Sequence, residues 1–168
     1  MAASPRIKSQ KTPTRGAKPA DAIALLKADH RQVEQWFEEF QSARSPSKKQ
    51  DLVTNICNAL KAHTRIEEEI FYPAFLKATK DEDIHHEAIV EHAGAKNLIA
   101  EIEESGPEDD YFDAKVTVLS EMIKHHVKEE EQPSGMFAEA KKSKMDLVEI
   151  GRQLAARRQE LLEREAAA

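Results

Sequence analysis

Residues 125–131 read HHVKEEE, two histidines and three glutamates within about two helical turns. Such a run is either a charged helix surface in solvent or the inward half of a metal site. The choice decides what kind of core the chain builds. Two registers place a glutamate one turn after a histidine, His125/Glu129 and His126/Glu130. Residues i and i+4 share a helix face, so either pair can aim at one centre. The first register continues Lys115, Val118 and Met122; the second continues Phe112, Val116, Leu119 and Ile123. The second is the stronger apolar stripe. His126 and Glu130 are therefore assigned inward, and His125, Glu129 and Glu131 become flanking, solvated residues.

Upstream, the same step of three and four residues recurs. Asp21, an N-cap after Pro19, opens a helix to about Ala43 with the stripe Ile23, Leu26, His30, Val33, Phe37, Phe40. Ser45–Pro46 starts a second helix, with Leu52, Ile56, Ala59, His63, Ile66 and Ile70 inward, until Pro73 kinks or ends the regular turn. A third runs from about Asp81 to Ser105–Gly106, its apolar positions Ile84, Ala88, Ala95, Leu98, Ile99 and Ile102 set around His92. Pro107 opens the fourth, and Pro133, Ser134 and Gly135 interrupt it. A last amphipathic helix covers roughly Lys144 to Glu165 with Leu147, Ile150, Leu154 and Leu161 on one side. The expectation is an all-α fold: an antiparallel up-down-up-down four-helix bundle with an additional C-terminal helix. Residues 1–20 read as a disordered basic arm, 21–142 as the bundle and 143–168 as the C-terminal helix.

Composition agrees with this class and excludes others. Hydrophobic residues at 40% and charged residues at 33% suit a helix-rich globular domain, and no alternating β-branched runs occur. The net charge of −6 divides into +5 over residues 1–20 and −11 over the rest. An acidic body argues against nucleic acid as the partner. In the arm, Pro5, Pro13 and Pro19 oppose the amphipathic helix of a targeting peptide. No apolar run suffices for a signal sequence or a membrane span. The single Cys57 cannot form an internal disulfide, so a reducing cytoplasm is the expected location.

The stripes contain residues that a core should reject. Each of the four helices places a histidine inward, His30, His63, His92 and His126, and two of these carry a glutamate one turn on, Glu67 and Glu130. Burying an unpaired ionisable group costs several kcal/mol. One such histidine is ordinary; four, one per helix with two i+4 glutamates, point to a divalent first-row metal in the bundle core. Two bridging carboxylates and two histidines per ion give four ligands each, and an oxo or hydroxo bridge makes five. The expected cofactor is therefore two Fe ions, with Mn as the alternative. Zinc prefers four ligands. No HExxH motif occurs, the lone ExxH (Glu82–His85) lacks the partner that ferritin-like sites need, and no phosphate loop or nucleophile elbow is present.

The segments LLKADHRQVEQWFEEF, AHTRIEEEIFYPA, EHAGAKNLI and HHVKEEE…MFAEAKK, within residues 21–142, resemble the hemerythrin-like HHE cation-binding domains of bacteria. The resemblance implies terminal iron ligation by His30, His63, His92 and His126 and bridging by Glu67 and Glu130. One departure matters: oxygen-carrying hemerythrins have an HxxxH pair on the third helix, and here Ala88 and Lys96 flank His92 at that spacing. Glu34, His85 or water are the candidates for the vacant position. The open position favours redox chemistry, peroxide handling, nitric oxide binding or iron sensing over oxygen storage.

The function expected is a non-haem diiron protein that binds or senses O2, peroxide or nitric oxide in an oxygen, redox or iron stress response. A diiron enzyme that decomposes peroxide or repairs iron centres, and a metal-free helical interaction module, are the alternatives. Glu68, Glu69, Glu129 and Glu131 read as a solvated acidic face, and Trp36, Phe37, Phe40, Phe71, Tyr72 and Phe75 as core. The C-terminal helix either packs on its own bundle or offers a homodimer contact.

Overall fold

The computed structural model describes residues 20–168, and every described element is helical. The proposed basic arm, but for Ala20, lies outside the described residues. In order, the elements are α1 (Ala22–Ser42), α2 (Pro46–Ile66), a π turn (Glu67–Phe71), α3 (Tyr72–Thr79), α4 (Glu82–Ser105), α5 (Phe112–Glu131), α6 (Met136–Lys142) and α7 (Leu147–Ala167).

The start signals act as their side chains dictate. Asp21 accepts from the Ala24 N–H at 2.8 Å, Ser45 from Lys48 at 3.3 Å with Pro46 in the first turn, and Asp81 from Ile84 at 3.0 Å. At α7 the cap is Asp146, which accepts from Glu149 at 3.0 Å, so the helix begins three residues later than the stripe alone suggested. The short α6, which periodicity did not isolate, buries Met136, Phe137 and Ala140.

Pro73 does not end the second helix. It has no N–H, and its ring would meet the carbonyl four residues back in a regular turn. The chain widens instead: the Tyr72 N–H bonds to the Glu67 carbonyl across five residues, and α3 continues to Thr79. In a regular helix Tyr72 would point about 140° away from Glu67. The wide turn brings the two onto one face.

Two apolar clusters fill the interior. One contains Val33, Phe37, Phe40, Leu52, Ile56, Leu60, Ile99, Phe112, Leu119 and Ile123. The other contains Ile23, Leu26, Ile66, Phe71, Tyr72, Phe75, Met136, Phe137 and Leu154. Between them lies a polar layer, and that layer is the site. Helix α7 lies against α1 and α2, where Ile150 and Leu154 are buried, so its apolar stripe is used within the chain. Among the described residues, no helix is long and apolar enough to cross a membrane.

Candidate metal centre

His30, His63, Glu67, His92, His126 and Glu130 are all buried, at 0–5% exposure. They come from α1, α2, the π turn, α4 and α5, each from the middle or end of a helix packed on both sides by apolar residues. Their inner atoms converge. The Nε2 atoms of His30 and His63 lie 3.1 Å apart, and those of His92 and His126 lie 3.2 Å apart.

The two carboxylates span the histidine pairs. Glu67 turns Oε1 to His63 Nε2 at 3.2 Å and Oε2 to His92 Nε2 at 3.2 Å. Glu130 turns Oε2 to His30 Nε2 at 3.3 Å and Oε1 to His126 Nε2 at 3.4 Å. Two groups with ligand atoms close enough for one ion result: His30, His63, Glu67 and Glu130, and Glu67, His92 and His126. Glu67 belongs to both.

Each imidazole is backed by a second carboxylate on its outer nitrogen. His30 Nδ1 donates to Glu131 at 2.7 Å, His63 to Asp29 at 3.4 Å, His92 to Glu68 at 3.0 Å and His126 to Glu91 at 2.6 Å. An ionised carboxylate only accepts, so the proton belongs on Nδ1 and the inward Nε2 is the nitrogen free to ligate. Glu68 and Glu131 are thus not merely a solvated face. The pattern is two-fold: the residue before a site histidine on α1 or α4 (Asp29, Glu91) backs the histidine of the following helix. The residue after a site glutamate (Glu68, Glu131) backs the histidine of the opposite pair.

Electrostatics follow from this crowding. Burial pushes the His63 imidazole down, but the Glu67 and Asp29 carboxylates outweigh it and lift it to about 10. His30, His92 and His126 are raised by the same contest, burial against their carboxylates. Burial and the neighbouring Glu67 charge push Glu130 up, yet His126 and His30 hold it at about 2. Glu67, desolvated but facing His63 and His92, lies well below the usual carboxylate range.

Tyr72 is the site residue that the stripes did not reveal. Its hydroxyl donates to Glu130 Oε1 at 2.8 Å and lies 3.2 Å from Glu67 Oε2 and 3.0 Å from His92 Nε2. The wide turn put it there, and a regular period could not have found it. The two side chains expected as candidates for the vacant position are elsewhere. Glu34 pairs with Arg31 at 2.7 Å near the surface, and His85 meets the Tyr72 ring edge-on at 6.1 Å. Asp29 and Glu91 were also missed, although the repeated acid–His dipeptides at 29–30 and 91–92 carried the signal. Phe137 of α6 stacks on His30 with centroids 5.8 Å apart.

The donor set fits metal ions. Glu67 Oε1 and Glu130 Oε2 are buried with no hydrogen-bond partner, which a protein seldom tolerates without a reason. The Nε2 separations of 3.1 and 3.2 Å are close to the edge of about 3.0 Å that two cis ligands span around an ion with bonds of about 2.1 Å. A cavity of about 20 Å³ adjoins all four imidazoles and is lined by Val33, Leu60, Ala95, Met122, Ile123 and Val127. It has room for a water-sized molecule.

Comparison with known proteins gives the same picture. The model of the Hemerythrin HHE cation binding domain family matches residues 21–137. A DNA nickase of Nostoc sp. (strain PCC 7120) is 31% identical over 114 residues, 68% of this chain but 32% of that protein, so the chain spans about a third of that relative's length. The crystal structure of a hemerythrin HHE cation-binding domain-containing protein from Mycobacterium kansasii superposes with a TM-score of 0.70. It is 23% identical, and the match covers 86% of this chain and 88% of that one.

Proposed function

The chain belongs to the hemerythrin HHE cation-binding domain family, and we propose that it is a non-haem diiron protein whose centre binds O2, peroxide or nitric oxide in a redox or iron stress response. His30, His63, His92 and His126 are the terminal ligands, and Glu67 and Glu130 bridge. The observation that carries this is the pair of buried carboxylates, each with one oxygen toward each histidine pair and each with one oxygen lacking a hydrogen-bond partner. Mixed imidazole and carboxylate ligation suits iron first and manganese second. Bound iron supplies the redox-active open positions that such a ligand needs.

The chain's own residues do the rest. The four Nδ1-to-carboxylate bonds fix ring orientation and tautomer. The small, largely apolar cavity would limit the ligand to a few atoms. Tyr72 places a buried hydroxyl between the two bridging carboxylates, as an additional oxygen donor where α4 has no histidine at HxxxH spacing from His92. That hydroxyl also favours a second reading, the decomposition of peroxide, because it holds a proton beside the ligand positions.

Metal analysis with an optical spectrum of the purified protein tests the first reading. About two irons per chain and an oxo-bridge charge-transfer band are expected, both reduced in His63→Ala; full iron and an unchanged spectrum in that variant refute it. Turnover of peroxide by the iron-loaded form that disappears in Glu130→Ala supports the enzyme. A protein that takes up no metal and melts identically with a chelator points to the interaction module.

A further inference from the structure

The four carboxylates that back the imidazoles are themselves held, and one of them is held differently. Glu131 is bound by Arg31, and Glu68 by Lys96 at 2.7 Å. Glu91 is bound by His125 Nε2 at 3.1 Å, from the residue next to the histidine it backs. Asp29 is bound by Arg158 of α7 at 3.2 Å. Asp29 and Glu91 occupy equivalent places in the two hairpins. Where α5 has His125 before His126, however, α2 has Ala62 before His63, and a buried methyl group can hold no carboxylate.

Asp29 divides its two oxygens: Oδ1 faces Arg158 and Oδ2 faces His63 Nδ1 at 3.4 Å, the longest of the four backing contacts. A carboxylate rotates about its last bond, so its hold on the imidazole is only as good as whatever fixes the other oxygen. Helix α7 is seated to provide this. Ile150 and Leu154 are buried, Arg157 reaches Glu69 at 2.8 Å and Lys61 reaches Glu165 at 3.0 Å. At Gly151 the helix runs so close to α1 that a Cβ would lie 2.7 Å from the Ala20 carbonyl oxygen.

We propose that Arg158 is a positioning residue for the metal centre, holding Asp29 so that Asp29 orients His63, and that α7 is thereby part of the frame of the site. The role rests on His63 being a ligand as stated under Proposed function. Removing an outer partner of a ligating histidine costs about 10–100-fold in metal affinity, and a residue one step further out acts at the lower end of that range.

The test uses full-length Arg158→Gln, Arg158→Lys and, as a control on the same helix, Arg152→Gln, whose parent side chain pairs, among the described residues, with Glu149 alone. Arg158 is 40% exposed, so its replacement leaves the core intact. In the metal-free protein, imidazole nitrogen NMR is expected to show the His63 Nδ1–H signal shifted and exchanging faster in Arg158→Gln, with His126 unmoved and Arg158→Lys close to wild type. In the iron-loaded protein, release of iron to a chelator is expected about tenfold faster in Arg158→Gln and restored by Arg158→Lys. An unchanged His63 signal overturns the proposal, as does an equal effect in Arg152→Gln. A wild-type chain that binds no iron overturns the metal reading instead, while the His63 signal still decides whether Arg158 orients that ring.

Discussion

Replacing Tyr72 by Phe removes one oxygen from a residue that is 0% exposed and leaves its ring in place. That oxygen donates to Glu130 at 2.8 Å and lies within 3.2 Å of Glu67. Both carboxylates are ionised at neutral pH, since Glu130 is held at about 2 and Glu67 lies well below the usual range. A hydrogen bond to a charged group contributes about 1.5–3 kcal/mol, and an acceptor that loses its donor in a dry site also keeps its desolvation cost. Relief from burying the hydroxyl offsets part of this. The net expectation is a loss of about 2 kcal/mol in the metal-free protein, a large share of a typical stability of about 5–15 kcal/mol.

For a domain of this size that loss corresponds to about 4–8 °C in Tm. Urea melts of metal-free wild type and Tyr72→Phe at pH 7 measure it, with a lower midpoint and an unchanged slope expected. Iron added to both should widen the gap, because the variant also lacks an oxygen donor at the centre. Midpoints that agree within about 0.5 kcal/mol, with and without iron, would show that the hydroxyl is not engaged by the carboxylates.

Four further outcomes are expected. Gly135→Ala would place a Cβ 2.8 Å from the Glu130 carbonyl oxygen, so it should cost about 1–3 kcal/mol in a urea melt and lower the iron content; wild-type melting refutes the close approach. Metal loading should release protons, because His63 is held at about 10 and the other three histidines are raised, so apparent affinity rises with pH; calorimetry in buffers of different protonation enthalpy checks this. In the metal-free protein the raised histidines stabilise fully below about pH 6.5 and the lowered glutamates above about 4.5, so pH melts should peak between those values. Cys57, buried and pushed up to about 12, should resist iodoacetamide at pH 8 in the folded protein and react on unfolding.

The helices and their inward faces were legible because burial is periodic. His126 and Glu130 could be separated from His125 and Glu129 by extending the stripe back to Phe112, and the structure buries the first pair while leaving His125 exposed. The six convergent side chains were legible for the same reason: ionisable residues on an apolar face stand out. Tyr72 was not, because an aromatic on a helix looks like core and because the wide turn at Glu67–Phe71 changes the period just where it matters. Asp29 and Glu91 were hidden by their ordinariness. An acid beside a histidine is common in a chain with 31 acids, and only the fold shows which imidazole it reaches across to. Arg158 was beyond reach for another reason: a residue 129 positions away in sequence can hold Asp29 only through tertiary packing.

The site also explains how such a polar layer can exist before any metal arrives. Buried ion pairs are costly when one partner is missing. Here the surrounding carboxylates raise all four imidazoles, which disposes these to hold protons opposite Glu67 and Glu130, while Arg31, Lys96 and Arg158 add cations to three of the outer carboxylates. On the proposed reading, loading would exchange protons for metal at the inner nitrogens, while the outer carboxylates hold the Nδ1 atoms. Sites whose ligands repel one another without metal must gain their fold from the ion. Here each imidazole faces carboxylates on both of its nitrogens and apolar clusters flank the layer on both sides, so the bundle is expected to fold without the ion. On the proposed reading the protein sets the ligand geometry, and an ion would enter a frame built from α1, α2, α4 and α5 and, through Arg158 and Asp29, from α7.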